Sequence, residues 1–386
     1  MTDIERYLND LESDNEEDRN NAAITLGELG DKRAAPVLRE QLSGQDFYLR
    51  AQAVQLLGKV GDPSDIPAMI QVAISDGDYE ARAPIARGLQ ELDAEQAGQH
   101  LIKHLDDPVP QTRRFAAEVL GHMKAYQALP HLIKILQEDS EIGPRTAAAE
   151  AIGAIGHTSV VPLLIERLTT DPATQMHVIL ALGKLGDRRA VPALLDLFER
   201  RLLTDWGAYS AFAEALGELA DPAATEALVY LIRNITTLVP DHVNDLSEEF
   251  SPSRGVVYGY AAHALERIGG DRAIDVLCEQ LKSEEVSFAG KREICEAFGE
   301  MGDKRVVEPL IDLLQETDNI SLRRFVVQVL SQIADTRATR PLRALLAAED
   351  SFFTHEIARA LEAIGTPEAI SAVATWRREL RDHKRQ

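Results

Sequence analysis

Between Arg33 and Leu42 the apolar residues Ala34, Ala35, Val37, Leu38 and Leu42 fall at helical spacing, which predicts a helix A. Pro36 lies in its first turn, where a missing N–H is tolerated. The polar stretch Ser43-Gly44-Gln45-Asp46 breaks the pattern, and a second apolar series from Leu49 to Val60 predicts a helix B. Gly61 stands where a helix takes a left-handed terminal residue, and Asp62 is placed to cap the next helix A.

The same grammar returns along the chain. Leu26-Gly27-Glu28-Leu29-Gly30-Asp31 reappears as Leu57-Gly58-Lys59-Val60-Gly61-Asp62, Leu182-Gly183-Lys184-Leu185-Gly186-Asp187 and Phe298-Gly299-Glu300-Met301-Gly302-Asp303. Weaker copies lie at Leu120, Ile152 and Leu216, and degenerate ones around Leu89, Leu265, Leu330 and Leu361. Successive marks are 30 to 34 residues apart, with one gap of 49. Self-similarity at that period predicts stacked helix pairs. Eleven A/B pairs and a final unpaired helix over 367–382, a cap bearing Trp376 and a basic outer face, account for residues 1–386 as one all-α solenoid. With helices packed 8–10 Å apart, such a stack would form a curved rod roughly 100 Å long. The inner glycine of each phrase costs about 1 kcal/mol relative to alanine, so its recurrence points to close helix crossings.

Composition agrees with that fold and narrows the partners. Aromatic residues make up 5% of the chain and apolar residues 45%, so small aliphatic side chains must carry the packing. The net charge of −22 argues against a nucleic-acid or anionic-membrane surface. No apolar run long enough to span a membrane and no secretory signal is visible, so a cytoplasmic setting is expected. Cys278 and Cys295 then read as small buried hydrophobes rather than a disulfide.

Arg145-Thr146-Ala147-Ala148-Ala149-Glu150-Ala151-Ile152-Gly153-Ala154-Ile155-Gly156 and Gly186-Asp187-Arg188-Arg189-Ala190-Val191-Pro192-Ala193-Leu194-Leu195 resemble the HEAT repeat, in the short variety named after phycobilisome lyases. The resemblance implies an α-solenoid, a right-handed superhelix whose B helices line the concave face. It leaves the function open, because one repeat type serves many roles.

Eight residues before each inner glycine, or its equivalent, stands a column at the start of helix B: Arg19, Arg50, Arg82, Arg113, Arg145, then Gln175, Tyr209, Tyr258, then Lys291, Arg323, Thr354. Two roles fit it, an inter-repeat ladder of bonds to neighbouring turns or a cationic groove for an acidic ligand. A glutamate column five residues on (Glu118, Glu150, Glu214, Glu296) works against a purely positive groove. Where the basic residue lapses, Trp206, Phe212 and Tyr260 lie nearby, and repeat eight carries an insertion over 238–253 with Asp241, Glu248 and Glu249. Aromatics beside an acidic loop are the chemistry of a protein-contact hot spot. Trp206, Tyr209, Phe212, Tyr258, Tyr260 and Gln175 with that loop are therefore the candidate partner site. Filling of extra volume beneath the insertion is the competing reading.

Catalytic signatures are sparse. Deoxyhypusine hydroxylase, a related HEAT family, builds a di-iron site from several His-Glu dipeptides at helix B starts, and this chain has one in that register, His355-Glu356. His100 and His104 lie one turn apart with no third ligand in the local sequence. Walker-type loops, Gly-x-Ser-x-Gly elbows and Cys-x-x-Cys pairs do not occur. The expectation is a non-catalytic scaffold, without cofactor or metal, that binds another protein on its concave face. The alternative, implied by the resemblance to phycobilisome-lyase repeats, is handling of a bilin whose propionates pair with the arginine column.

Overall fold

A computed structural model describes residues 3–76, 82–203, 205–238, 252–348 and 353–383, and among these every regular element is helical. The chain divides into two compact units, Met1–Asp187 and Arg188–Gln386. In the first unit, α1 (Asp3–Asp10) pairs with α2 (Glu16–Glu28), and α3 (Ala35–Gln41) with α4 (Phe47–Val60). Next come α5 (Ile66–Asp76), α6 (Arg82–His104) and α7 (Pro110–His122), then the pairs α8 (Leu129–Glu138)/α9 (Ile142–Ile155) and α10 (Val161–Thr170)/α11 (Gln175–Leu185). The span α6 holds two helices, the third B and the fourth A, parted at Asp93, whose φ of −165° and ψ of 96° break the helical path. The sequence pattern predicts two separate helices there.

In the second unit, α12 (Val191–Glu199) pairs with α13 (Trp206–Leu219), and α14 (Thr225–Arg233) with the short α15 (Ile235–Leu238) precedes α16 (Pro252–Ile268). The pairs α17 (Asp271–Lys282)/α18 (Phe288–Met301), α19 (Val307–Glu316)/α20 (Ile320–Ile333) and α21 (Thr339–Ala348)/α22 (Thr354–Ile364) follow, and α23 (Pro367–His383) packs on α21 and α22. The inserted loop expected over 238–253 lies, between Leu238 and Pro252, outside the described residues.

The Gly-Asp half of the phrase stops one helix and starts the next. Gly30, Gly186 and Gly302 adopt φ of 77°, 65° and 61°, the left-handed region that glycine enters without a Cβ clash. Asp31 and Asp303 then accept the backbone N–H of Arg33 and Arg305 and so cap a short 3-10 turn that leads into helix A. Gly61 departs from the expected left-handed form, with a φ of −77°. Its lack of a Cβ serves space instead: a methyl there would lie 2.6 Å from the Leu57 carbonyl oxygen and 2.7 Å from Asp65 Oδ2. That Asp65 oxygen closes the capping box on Asp62.

At Gly58, Gly121, Gly153 and Gly217 the inner glycine brings successive B helices into backbone contact. A Cβ on Gly58 would lie 2.5 Å from the Gly88 carbonyl oxygen, and one on Gly121 2.7 Å from Ala151 Cα. Alanines fill the same seams, with Ala116, Ala117, Ala148, Ala149 and Ala181 essentially without exposure. Helix pairs of this kind cannot bury their apolar stripes alone, so each repeat is completed by its neighbour.

Candidate functional site

The arginine column ties loops together. Arg19 donates from Nη1 to the carbonyls of Ser13 and Asp14 at 2.8 and 3.1 Å, and Arg50 to those of Gly44 and Gln45 at 2.6 and 2.8 Å. Arg323 donates to the Thr317 carbonyl at 2.8 Å. Two members add an arm to the next repeat: Arg113 grips Asp139 through Nε and Nη2, at 2.7 and 2.8 Å, and Arg145 grips Asp171 at 2.9 Å. Burial works to raise the Asp139 carboxyl, yet its bonds to Arg113 and to the Glu141 N–H, with the charges of Arg113 and Arg145, hold it below the usual range. The spacing of 26 residues between each arginine and its aspartate is a signal that the column alone does not reveal. Arg82 opens α6, but its side chain lies outside the described residues. Lys291 holds the equivalent place on α18, half-buried.

Where the column lapses, most of the side chains turn inward. Gln175 is buried and donates to the Leu168 carbonyl at 3.0 Å, taking over the loop-tying role. Tyr209, Phe212 and Tyr258 are 5%, 0% and 4% exposed, which corrects their assignment as contact residues. Phe212 stacks on Phe198 at 4.9 Å between centroids, and Tyr209 meets the same ring edge-on at 6.4 Å. These rings fill interior volume because the helix-start position faces the seam between repeats. Burial pushes the Tyr258 phenol far above its ordinary value, and its oxygen has no hydrogen-bond partner among the described residues. Trp206 is half-buried, and Tyr260 is the aromatic left in the open. Asp241, Glu248 and Glu249 lie outside the described residues.

Around Tyr260 the adjacent B helices α13, α16 and α18 bring together a set that sequence reasoning named only in part. Glu214 raises the Tyr260 phenol, first through its negative charge, then with help from burial and a hydrogen bond between the two. His263, one turn along α16, has Nδ1 3.3 Å from Glu300 and Nε2 3.9 Å from Glu293. Gly259 makes room for Glu293, since a Cβ there would lie 2.8 Å from its carboxylate. Glu266 occupies the place of the inner glycine in this repeat, and burial followed by the charge of Glu300 raises its carboxyl. The nearby cations are engaged: Arg267 bonds Glu218 at 2.6 Å, and Arg292 bonds Glu293 and lies 3.7 Å from Glu296. His263 with Glu266 and Glu300, and His263 with Glu293 and Glu296, each place their ligating atoms within 4.8 Å of one another. One imidazole with two carboxylates is a donor set that suits a divalent cation.

The remaining candidates lie apart. His100 bonds the Gln96 carbonyl at 3.0 Å and joins no three-donor cluster among the described residues. His355 stands edge-on to Trp376 at 5.0 Å, while Glu356 bonds Arg324 at 2.5 Å. One His-Glu dipeptide divided in this way does not fit a di-iron site. Both cysteines are free, and burial raises their thiols, Cys278 to about 11 and Cys295 to about 12. No helix among the described residues is long and apolar enough to cross a membrane.

Paired helices stacked through their B helices define an α-solenoid. A model of HEAT repeats matches residues 4–90, 66–152, 129–202, 288–362 and 307–385, and the chain belongs to the HEAT-repeat family. It is 26% identical over 257 residues to a deoxyhypusine hydroxylase of Candida albicans, covering 66% of this chain and 74% of that protein. It is 31% identical over 209 residues to phycocyanobilin lyase subunit alpha of a Nostoc species, covering 51% and 57%. Yeast importin-β (Kap95p) shares the fold, with a TM-score of 0.58 at 12% identity over 97% of this chain and 57% of that one.

Proposed function

We propose that this HEAT solenoid is a non-catalytic protein-binding scaffold that holds a cationic segment of its partner against the B-helix face of α13, α16 and α18. One observation carries the reading: Glu214 acts on the exposed Tyr260 phenol and Glu266, Glu293, Glu296 and Glu300 surround His263 one turn along, while Arg267 and Arg292 are already bonded to glutamates. Lysine or arginine side chains of a partner would relieve the carboxylate repulsion and lie over the Tyr260 face. The half-buried Trp206, at the start of α13, belongs to the same helix as Glu214. Hydrogen exchange measured with and without an octa-arginine peptide tests the placement. Protection concentrated in α16 and α18 supports it, and protection confined to the first unit would sink it.

A second reading rests on the likeness to phycocyanobilin lyase subunit alpha: handling of a bilin. Arg113 and Arg145, which would meet the propionates, are already bonded to Asp139 and Asp171, so the first reading is preferred. An unchanged bilin absorbance spectrum on mixing with the protein would remove the second.

A further inference from the structure

In α20 the inner glycine of the repeat phrase is replaced by Ser331. At Gly121 and Gly153, where glycine is kept, the next B helix lies against it backbone to backbone. Between α20 and α22 there is instead a cavity of about 580 Å³. Arg324, Phe325, Gln328 and Ser331 line it from one face of α20, and Glu356 and Arg359, one turn apart on α22, from the other side.

The charges in this lining are unevenly satisfied. Arg324 Nη2 lies 2.5 Å from Glu356 Oε1, so one oxygen of that carboxylate is engaged. The other, Oε2, is buried and accepts no hydrogen bond among the described residues. Arg359 is exposed and has no ion pair among the described residues, although the chain as a whole carries −22. The cavity therefore offers a guanidinium to an anion, a carboxylate oxygen to an N–H donor three residues away on the same helix, and the Phe325 ring to an apolar group. A buried oxygen left without a donor is destabilising, and a ligand N–H would satisfy it.

We propose that this cavity binds the C-terminal end of a peptide chain. The terminal carboxylate pairs with Arg359, the last amide N–H donates to Glu356 Oε2, and the last side chain packs on Phe325. Gln328 and Ser331 supply donors and acceptors for the main chain. A free amino acid is too small for a space that lies well inside the roughly 300–1,000 Å³ range of pockets for larger ligands. The site is separate from the glutamate-lined face of α13, α16 and α18, and neither proposal depends on the other.

The test is calorimetric titration with acetyl-Gly-Gly-Phe as the free acid, the same peptide as its C-terminal N-methylamide, and N-acetyl-phenylalanine. The free acid should bind, with the N-methylamide and the Arg359→Ala variant each about 10- to 100-fold weaker, as the loss of one charge-assisted bond predicts. Ser331→Phe, which puts a ring into the space the peptide main chain would occupy, should abolish binding. Arg359 is exposed, so its variant keeps the fold and keeps the test decisive. Equal binding of acid and amide, unchanged binding to Arg359→Ala, or no binding of the free acid overturns the proposal. N-acetyl-phenylalanine binding as tightly as the tripeptide overturns the peptide assignment in favour of a single acylated residue.

Discussion

Arg113 reaches into the next repeat and grips both oxygens of Asp139 at 2.7 and 2.8 Å, while its Nη1 holds the Asp107 carbonyl of its own loop at 2.8 Å. The two side chains keep only 14% and 5% of their exposure. Arg113→Ala leaves the Asp139 carboxylate buried without its bidentate partner, and the predicted loss is about 2–4 kcal/mol in urea denaturation. Arg113→Lys should recover little of it, because an ammonium cannot reproduce the fork. A loss under about 0.5 kcal/mol for Arg113→Ala would show the bridge to be ornamental.

The inner glycines make a graded prediction. Gly121→Ala forces a methyl to 2.7 Å from Ala151 Cα, a backbone atom that cannot move aside. Overpacking of about 1–3 kcal/mol should outweigh the roughly 1 kcal/mol gained in helix propensity. Gly27→Ala meets Leu56 Cβ at 3.2 Å and the mobile Cδ1 atoms of Leu38 and Leu56 at 3.3 Å, distances that need a much smaller shift, so its melting temperature should change less. Thermal unfolding of the two variants side by side checks the order.

Tyr258→Phe removes a buried hydroxyl that makes no hydrogen bond among the described residues and keeps the ring. Stability should hold or rise by up to about 1 kcal/mol, measured by chemical denaturation. A clear loss would mean that the hydroxyl has a partner.

His177 adds a pH dependence. Burial, opposed by Glu150 and reinforced by the charge of Arg114, lowers its imidazole from the ordinary 6.5. The unfolded chain therefore takes up its proton first as pH falls. The contribution of His177 to stability is complete above pH 6.5, is lost as pH drops through the lower folded value, and is level below it. His177→Gln should flatten that part of a stability profile measured against pH.

Much of the fold was legible in the spacing of Leu-Gly-x-x-Gly-Asp, because each residue of the phrase fills one local role, whether a tight crossing, a helix stop or a cap. The two helices on either side of Asp93 follow from the same repeat, and the φ of −165° and ψ of 96° at that residue part them. At the site, Glu214 and Glu296 were legible as members of a column and Tyr260 as an aromatic beside its lapse, whereas Tyr209 and Tyr258 were misplaced: an aromatic at a helix start reads the same whether it faces the seam or the solvent. His263, Glu266, Glu293 and Glu300 come from helices separated by the long insertion or the next repeat, and only the stacking brings them together. Glu266 and Ser331 in glycine positions were the available signals, both at lapses of the phrase.

The glutamate face beside Tyr260 is the proposed seat of a cationic partner segment. Its most direct measurement is the affinity of a fluorescein-labelled octa-arginine peptide, by anisotropy at physiological ionic strength, for two charge-matched triple variants. One is Glu214→Gln with Glu296→Gln and Glu300→Gln; the other is Glu16→Gln with Glu17→Gln and Asp18→Asn in the acidic N-terminal stretch. Both lose the same charge, so a general effect of net charge cancels between them. Binding should be about tenfold weaker for the first variant, roughly 1.4 kcal/mol, and change within about twofold for the second. Equal weakening in both, or a larger loss in the N-terminal variant, would contradict that placement.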